Sequence, residues 1–138
     1  MILSASRPAW CESSAMVTCP PHDTLFWNTL DALAQAHQIV IDRPRGSEHP
    51  RQPGMVYPLD YGYLAGTTAG DGDGIDVWLG SLPERRMTGI ACTADAHKRD
   101  LEIKLLLGCT AEEMGTVQRF LNSHGLGCVV ISRPARFP

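Results

Sequence analysis

The chain has 138 residues, 43% hydrophobic and 20% charged, which is enough for one domain with a real core and too little for two. A net charge of −3 excludes the broad basic surface of a general nucleic-acid binder, and no apolar run approaches the ~20 residues of a membrane-crossing helix. Five cysteines, an odd count without a C-x-x-C pair, point to a reducing, cytoplasmic setting rather than to a disulfide framework.

Residues 1–21 lack the basic and apolar blocks of a secretory signal and show no helix or strand period, so they read as a disordered extension ahead of one domain over 22–138. Cys11, Cys19 and His22 match no zinc spacing. "DTLFWNTLDALAQAH" (23–37) predicts a helix capped by Asp23, with Phe26, Leu30, Leu33 and His37 on its core face. "QIVID" (38–42) predicts a strand, while the prolines and glycines of "RPRGSEHPRQPG" argue against any regular element there. "MVYPLDYGYLAG" reads as turns, and "IDVWL" as a strand entered from a Gly/Asp loop. Strands are predicted over 87–94 and from Leu101, joined by the polar turn "DAHKRD". Thr110 with Glu113 forms a capping box that starts a second helix, Gly125 stops it, and "GCVVIS" closes the chain as a strand. Short strands with one N-terminal and one C-terminal peripheral helix predict an α+β domain built on a small OB-like β-barrel.

The chemistry concentrates in Asp71-Gly72-Asp73-Gly74-Ile75-Asp76. Two like charges ~4 Å apart repel by about 4 kcal/mol at an effective dielectric of 20, so three carboxylates this close call for a cation. The glycines let the loop fold tightly, and an all-oxygen shell suits Mg²⁺ or Ca²⁺. An EF-hand does not fit, because Leu82 stands where its bidentate Glu belongs. A plain surface turn is the alternative. Farther on, Asp95, Asp100 and Glu102 form a second acidic group. Asp100, Glu102 and Lys104 alternate onto one strand face, with Leu101, Ile103 and Leu105 on the other. Arg43, Arg45, His49 and Arg51 form a basic loop whose guanidinium groups suit phosphate oxygens, or else merely keep the loop soluble.

"YPLDYGYL" followed ten residues after Tyr61 by "DGDGIDV" resembles the soluble family I inorganic pyrophosphatases, over about Gln38 to Gly108. The resemblance implies Asp71, Asp73 and Asp76 as metal ligands, with Asp73 also the general base. It implies Tyr61 beside the attacked phosphate, Asp42 near the metals, and Arg51 and Lys104 on phosphate oxygens, with Arg43 of the basic loop as a further candidate there. Matching Lys104 to the family's phosphate-binding lysine puts Glu102 on a metal position, whereas the family's five-residue spacing fits Asp95 and Asp100; the two registers exclude one another, and all three carboxylates are candidates. The family's hairpin arginine and late Tyr-Lys pair have no counterparts here. The activity implied is hydrolysis of pyrophosphate or a related phosphoanhydride, with two or more Mg²⁺ ions and Mn²⁺ as a substitute. The alternative is a catalytically weakened module that binds Mg²⁺ and phosphate-containing ligands. The partner implied is a small phosphoanhydride, not nucleic acid or membrane, and a homo-oligomer is compatible with it.

Overall fold

The computed structural model describes residues 21–135. Residues 1–20 of the expected N-terminal extension, with Cys11 and Cys19, lie outside them, while its last residue, Pro21, opens the first helix. The first helix, α1 (Pro21–Ala36), begins two residues before the predicted start, so Asp23 falls inside it rather than at its cap. Proline suits the opening turn because a helix start leaves its first N–H groups unpaired anyway. The buried stripe is Trp27 and Leu30, with Leu33 and Ala34 beside them, while Phe26 is 42% exposed. The stripe therefore sits one residue farther round the helix than predicted, because the larger indole occupies the core position.

Eight strands follow: β1 (Ile39–Arg43), β2 (Glu48–His49), β3 (Gln52–Val56), β4 (Asp60–Leu64), β5 (Ile75–Leu79), β6 (Met87–Asp95), β7 (Asp100–Leu107) and β8 (Gly127–Ser132). Two corrections arise here. The proline-rich stretch contains the small β2–β3 hairpin, and the segment read as turns contains β4. Six strands form a mixed sheet in the order β1-β4-β5-β7-β6-β8, with β5 and β7 parallel and the other pairs antiparallel. Among the described residues no ladder joins β1 to β8. The domain is α+β.

Alternation along the strands gives the sheet two buried faces. On one, Trp27 and Leu30 of α1 pack over Leu64, Val77, Ile90 and Leu105. Arg133 ties this layer down, donating to Asp31 Oδ2 (2.8 Å) and to the Met87 carbonyl. On the other face, the second helix, α2 (Ala111–Ser123), sets Met114, Val117 and Leu121 against Trp78, Ala91 and Leu106. Each fully buried side chain of this size contributes roughly 1.5–3 kcal/mol. Among the described residues no helix is long and apolar enough to cross a membrane.

The predicted capping box is present: Glu113 N–H donates to Thr110 Oγ1 and Glu113 Oε1 accepts from Thr110 N–H. The same carboxylate accepts from the Ser81 N–H and hydroxyl, joining α2 to the turn after β5. Burial pulls the Glu113 carboxyl up, but the Thr110 and Ser81 donors outweigh it and hold its pKa below the ordinary value. A lowered acid stabilises the fold above its unfolded pKa, and that contribution is lost as pH falls through the folded one. Glu113→Ala is expected to cost about 1 kcal/mol in urea melts at pH 7. The deficit should shrink in melts at pH 3.

Strand β8 is an edge strand, and its exposed backbone is partly capped. Cys128 N–H donates to Asn122 Oδ1 (2.8 Å) and its carbonyl accepts from Gln118 Nε2 (3.2 Å), both reaching over from α2.

Candidate functional site

The Lys104 cluster lies on the sheet face shared with α2. Cross-strand register sets it: Tyr61 lies opposite Trp78, Tyr63 opposite Asp76, and Lys104 opposite Ala91. Asp76 precedes Val77, which pairs with Leu105, so the β5 carboxylate meets the Lys104 ammonium across the parallel ladder. Lys104 is only 6% exposed. Its Nζ donates to Glu102 Oε2 (2.7 Å), Asp76 Oδ2 (2.8 Å) and the Tyr61 hydroxyl (3.1 Å). An ammonium has three N–H donors, and all three are used.

Burial alone would lower the Lys104 pKa, but the Tyr61, Asp76 and Glu102 oxygens outweigh it and hold it above the ordinary lysine value. Burial pushes the Tyr61 phenol well above its ordinary value, with Lys104 opposing and Asp76 assisting. The phenol is therefore a neutral donor and acceptor at any physiological pH.

Strands β5 and β7 pair only from Val77 and Leu105 onward. Ahead of that point lies an opening of about 300 Å³, lined mostly by apolar side chains, among them Phe26 and Leu30 of α1 and Ile75, Ile103 and Leu105 of the sheet, with Asp71, Asp76 and Glu102 on its polar side. Asp71 arrives from the loop before β5, which is bent by Gly72 in the left-handed region (φ 88°). Asp73 N–H donates to Asp71 Oδ1 (3.0 Å), and Ala69 N–H donates to the Asp73 carbonyl (2.7 Å). Three carboxylates on one opening are the right donor chemistry for a hard divalent cation. Even so, no three acidic, histidine or cysteine side chains among the described residues converge as a chelating group. The Lys104 ammonium instead bridges Asp76 and Glu102.

A second cavity, about 400 Å³, opens on the other side of Lys104. Lys104, Tyr61 and Trp78 supply its floor, and Arg43, Tyr57 and Asp95 line it too. Arg43 donates to the Tyr57 hydroxyl, and Tyr57 stacks on Tyr61 with ring centroids 5.5 Å apart.

Of the sequence-predicted residues, the structure thus gathers Asp71, Asp76, Glu102, Lys104, Tyr61 and Arg43 around one stretch of sheet. Asp73 is exposed in its loop. Asp95 pairs with Asp100 across the β6–β7 turn, and its Oδ1 accepts from the His97 (2.9 Å) and Lys98 (3.1 Å) N–H groups. Asp42 is exposed at the β1 irregularity opposite β4, where the register shifts between Ile41 and Arg43. Arg51 is exposed in the β2–β3 turn, its N–H donating to His49 Nδ1. Sequence reasoning missed His97, Lys98 and His124 as cavity residues, because only the folding of the β6–β7 turn toward the end of α2 brings them together. Cys109 is not part of this chemistry: burial, then the Glu113 charge, push its thiol up to about 12.

No family model matches the chain, and no curated protein matches it. Among solved structures it is similar to an inorganic pyrophosphatase from Helicobacter pylori, at 15% identity and a TM-score of 0.45, covering 70% of this chain and 75% of that one. It is also similar to an inorganic phosphatase from Anaplasma phagocytophilum, at 20% identity and a TM-score of 0.39, covering 70% and 74%. These are likenesses of fold over part of the chain and assign no residue a role.

Proposed function

We propose that the chain hydrolyses inorganic pyrophosphate or a related phosphoanhydride, with Mg²⁺ as its metal. One observation carries the reading: Lys104 pairs with Asp76 and Glu102, which with Asp71 form the polar side of one opening, and it also lines a second cavity with Arg43 and Lys98. Phosphoanhydride hydrolysis needs both sides, one for a divalent cation and one for a polyanion, and needs them adjacent. The spacing of Tyr61 to the Asp71–Asp76 loop supports the same reading from the sequence.

In this proposal Asp71, Asp76 and Glu102 would hold the metal, with Asp73 in the same loop as Asp71, while Asp100, Asp95 and Asp42 stand apart from that opening. A bound divalent ion supplies charge neutralisation and a more acidic water. The chain's own residues do the rest. Arg43 neutralises charge on the phosphate oxygens, Arg51 extends that positive field from the hairpin turn, and Lys104 would join them only by giving up one of its donations to Glu102, Asp76 or Tyr61. The Tyr61 phenol, kept protonated by burial, orients a phosphate oxygen by hydrogen bonding. Asp73, at the loop surface, accepts a proton from the attacking water.

Phosphate release from a panel of anhydrides, with Mg²⁺, with Mn²⁺ and without metal, tests the proposal. Asp73→Asn is expected to lower turnover by at least 10²-fold while urea melts stay unchanged, since the residue is exposed. Undiminished phosphate release from that variant would remove Asp73 from the mechanism.

A second reading, a module that binds phosphate ligands without turning them over, is favoured by one feature: the acidic side chains are not converged and Lys104 already bridges two of them. Titration calorimetry with a non-hydrolysable pyrophosphate analogue, run beside the release assay, separates the two. Binding without release selects the module.

A further inference from the structure

Helix α1 covers only part of its sheet face, and the rest of that face is apolar and open. Cross-strand register sets three rows on it: Leu105, Ile90 and Ile131; Ile103, Cys92 and Val129; Leu101, Ala94 and Gly127. No row holds a charged side chain, because alternation along β7 sends Asp100, Glu102 and Lys104 to the other face. The first row starts in the core, with Leu105 and Ile90 buried against α1. Beyond them the face opens: Ile131 is 47%, Ile103 52%, Val129 61% and Leu101 81% exposed. Phe26 of α1, itself exposed, lines one opening with Leu101 and Ile103 and so joins the helix to this patch. The five side chains lay open on the order of 500 Å², near the top of the range for the largest patch on a single chain, and a patch of that size marks a contact surface.

The cover that fits is the chain's own first segment. Residues 1–20 join the described chain at Pro21, five residues or about 7.5 Å along the α1 axis from Phe26. They carry two charged side chains, Arg7 and Glu12, against Met1, Ile2, Leu3, Trp10, Met16 and Val17. Crossing from β7 over β6 to β8 takes about 10 Å, and six extended residues already span about 20 Å. A second copy fits the patch less well, because a stable contact between separate molecules buries roughly 800 Å² on each partner. A tethered segment is held near the patch at high effective concentration, so a smaller contact suffices.

We infer that the apolar side chains of residues 1–20 pack over this half of the sheet, against Leu101, Ile103, Val129 and Ile131. The segment then closes the α1 layer as an intramolecular cover, in place of the disordered extension expected from its composition. The inference is independent of the proposed hydrolysis, and neither falls with the other.

The experiment is limited proteolysis of the full chain with a glutamate-specific protease, following the cut after Glu12 by mass spectrometry beside a free peptide of residues 1–20. Docking should slow that cut by about tenfold or more relative to the peptide. In full-length Leu101→Thr/Val129→Thr the cut should return to the rate of the peptide. Both positions are exposed and threonine suits a strand, so near-UV circular dichroism should match the parent chain. A second measurement needs no variant: methyl NMR on the parent chain should show Overhauser contacts from residues 1–20 to the Ile103 and Val129 methyls. In a mixture of labelled and unlabelled chains those contacts should stay within one molecule. A cut at the peptide's rate in the parent chain, or protection that the double variant leaves in place, overturns the inference. Contacts that pass between molecules overturn it as well and give the face to a second copy.

Discussion

Lys104→Met is expected to unfold at markedly lower urea than the parent chain, with a loss of about 3–5 kcal/mol, and to lose phosphate release altogether. The stability loss follows from what remains. Asp76 and Glu102, with side chains 29% and 22% exposed, would face each other without the ammonium between them, and the Tyr61 hydroxyl would lose its donor. Methionine fills a similar volume, so the deficit measures stranded charge rather than a void. The triple variant Lys104→Met/Asp76→Asn/Glu102→Gln should therefore recover most of the lost stability while remaining without activity. If the triple variant is no more stable than the single one, stranded charge is not the cause.

Gly62→Ala is expected to cost about 3 kcal/mol or more and to take activity with it. A Cβ at Gly62 would sit 1.8 Å from the Val40 carbonyl oxygen and 2.8 Å from its carbon, both backbone atoms that cannot swing aside. Strand β1 would have to leave β4, and Arg43 would leave the cavity with it. Gly70→Ala is the control: its Cβ meets nothing within 4 Å, so urea melts should agree with the parent within about 0.5 kcal/mol. Equal melts for both variants would mean that the β1–β4 contact is not tight in solution.

These two residues also mark how far the sequence could be read. Local signals carried α2 well, because a capping box, a terminal glycine and an apolar period are all written within one segment; it falls where Thr110, Glu113 and Gly125 put it, whereas α1 starts before its expected cap and turns Trp27 inward in place of Phe26. Strands with β-branched runs, such as β5 and β8, were equally legible. The strand β4 was not, because the close approach that demands Gly62 comes from β1, and a glycine beside tyrosines reads locally as a turn. Lys104 was placed on the right face with Glu102, but alternation alone suggests that the charged face is wet and the leucine face dry. The ladder with β5 changes this: where it begins, Lys104 and Leu105 are both buried, whereas Leu101 and Ile103 ahead of it are 81% and 52% exposed. The acidic loop was legible as a loop, since its spacing is local. Its relation to Glu102 depends on where two parallel strands part, which no spacing encodes.

The amides of Asn122 and Gln118 have a consequence beyond the domain itself. The last strand reads GCVVIS, uncharged and free of proline, the composition that invites a foreign strand to add on. By occupying the outward N–H and C=O of Cys128, α2 withholds the first rung such an addition would climb. Asn122→Ala/Gln118→Ala should leave each molecule folded yet make the population self-associate, with light scattering that rises with concentration while that of the parent chain stays flat.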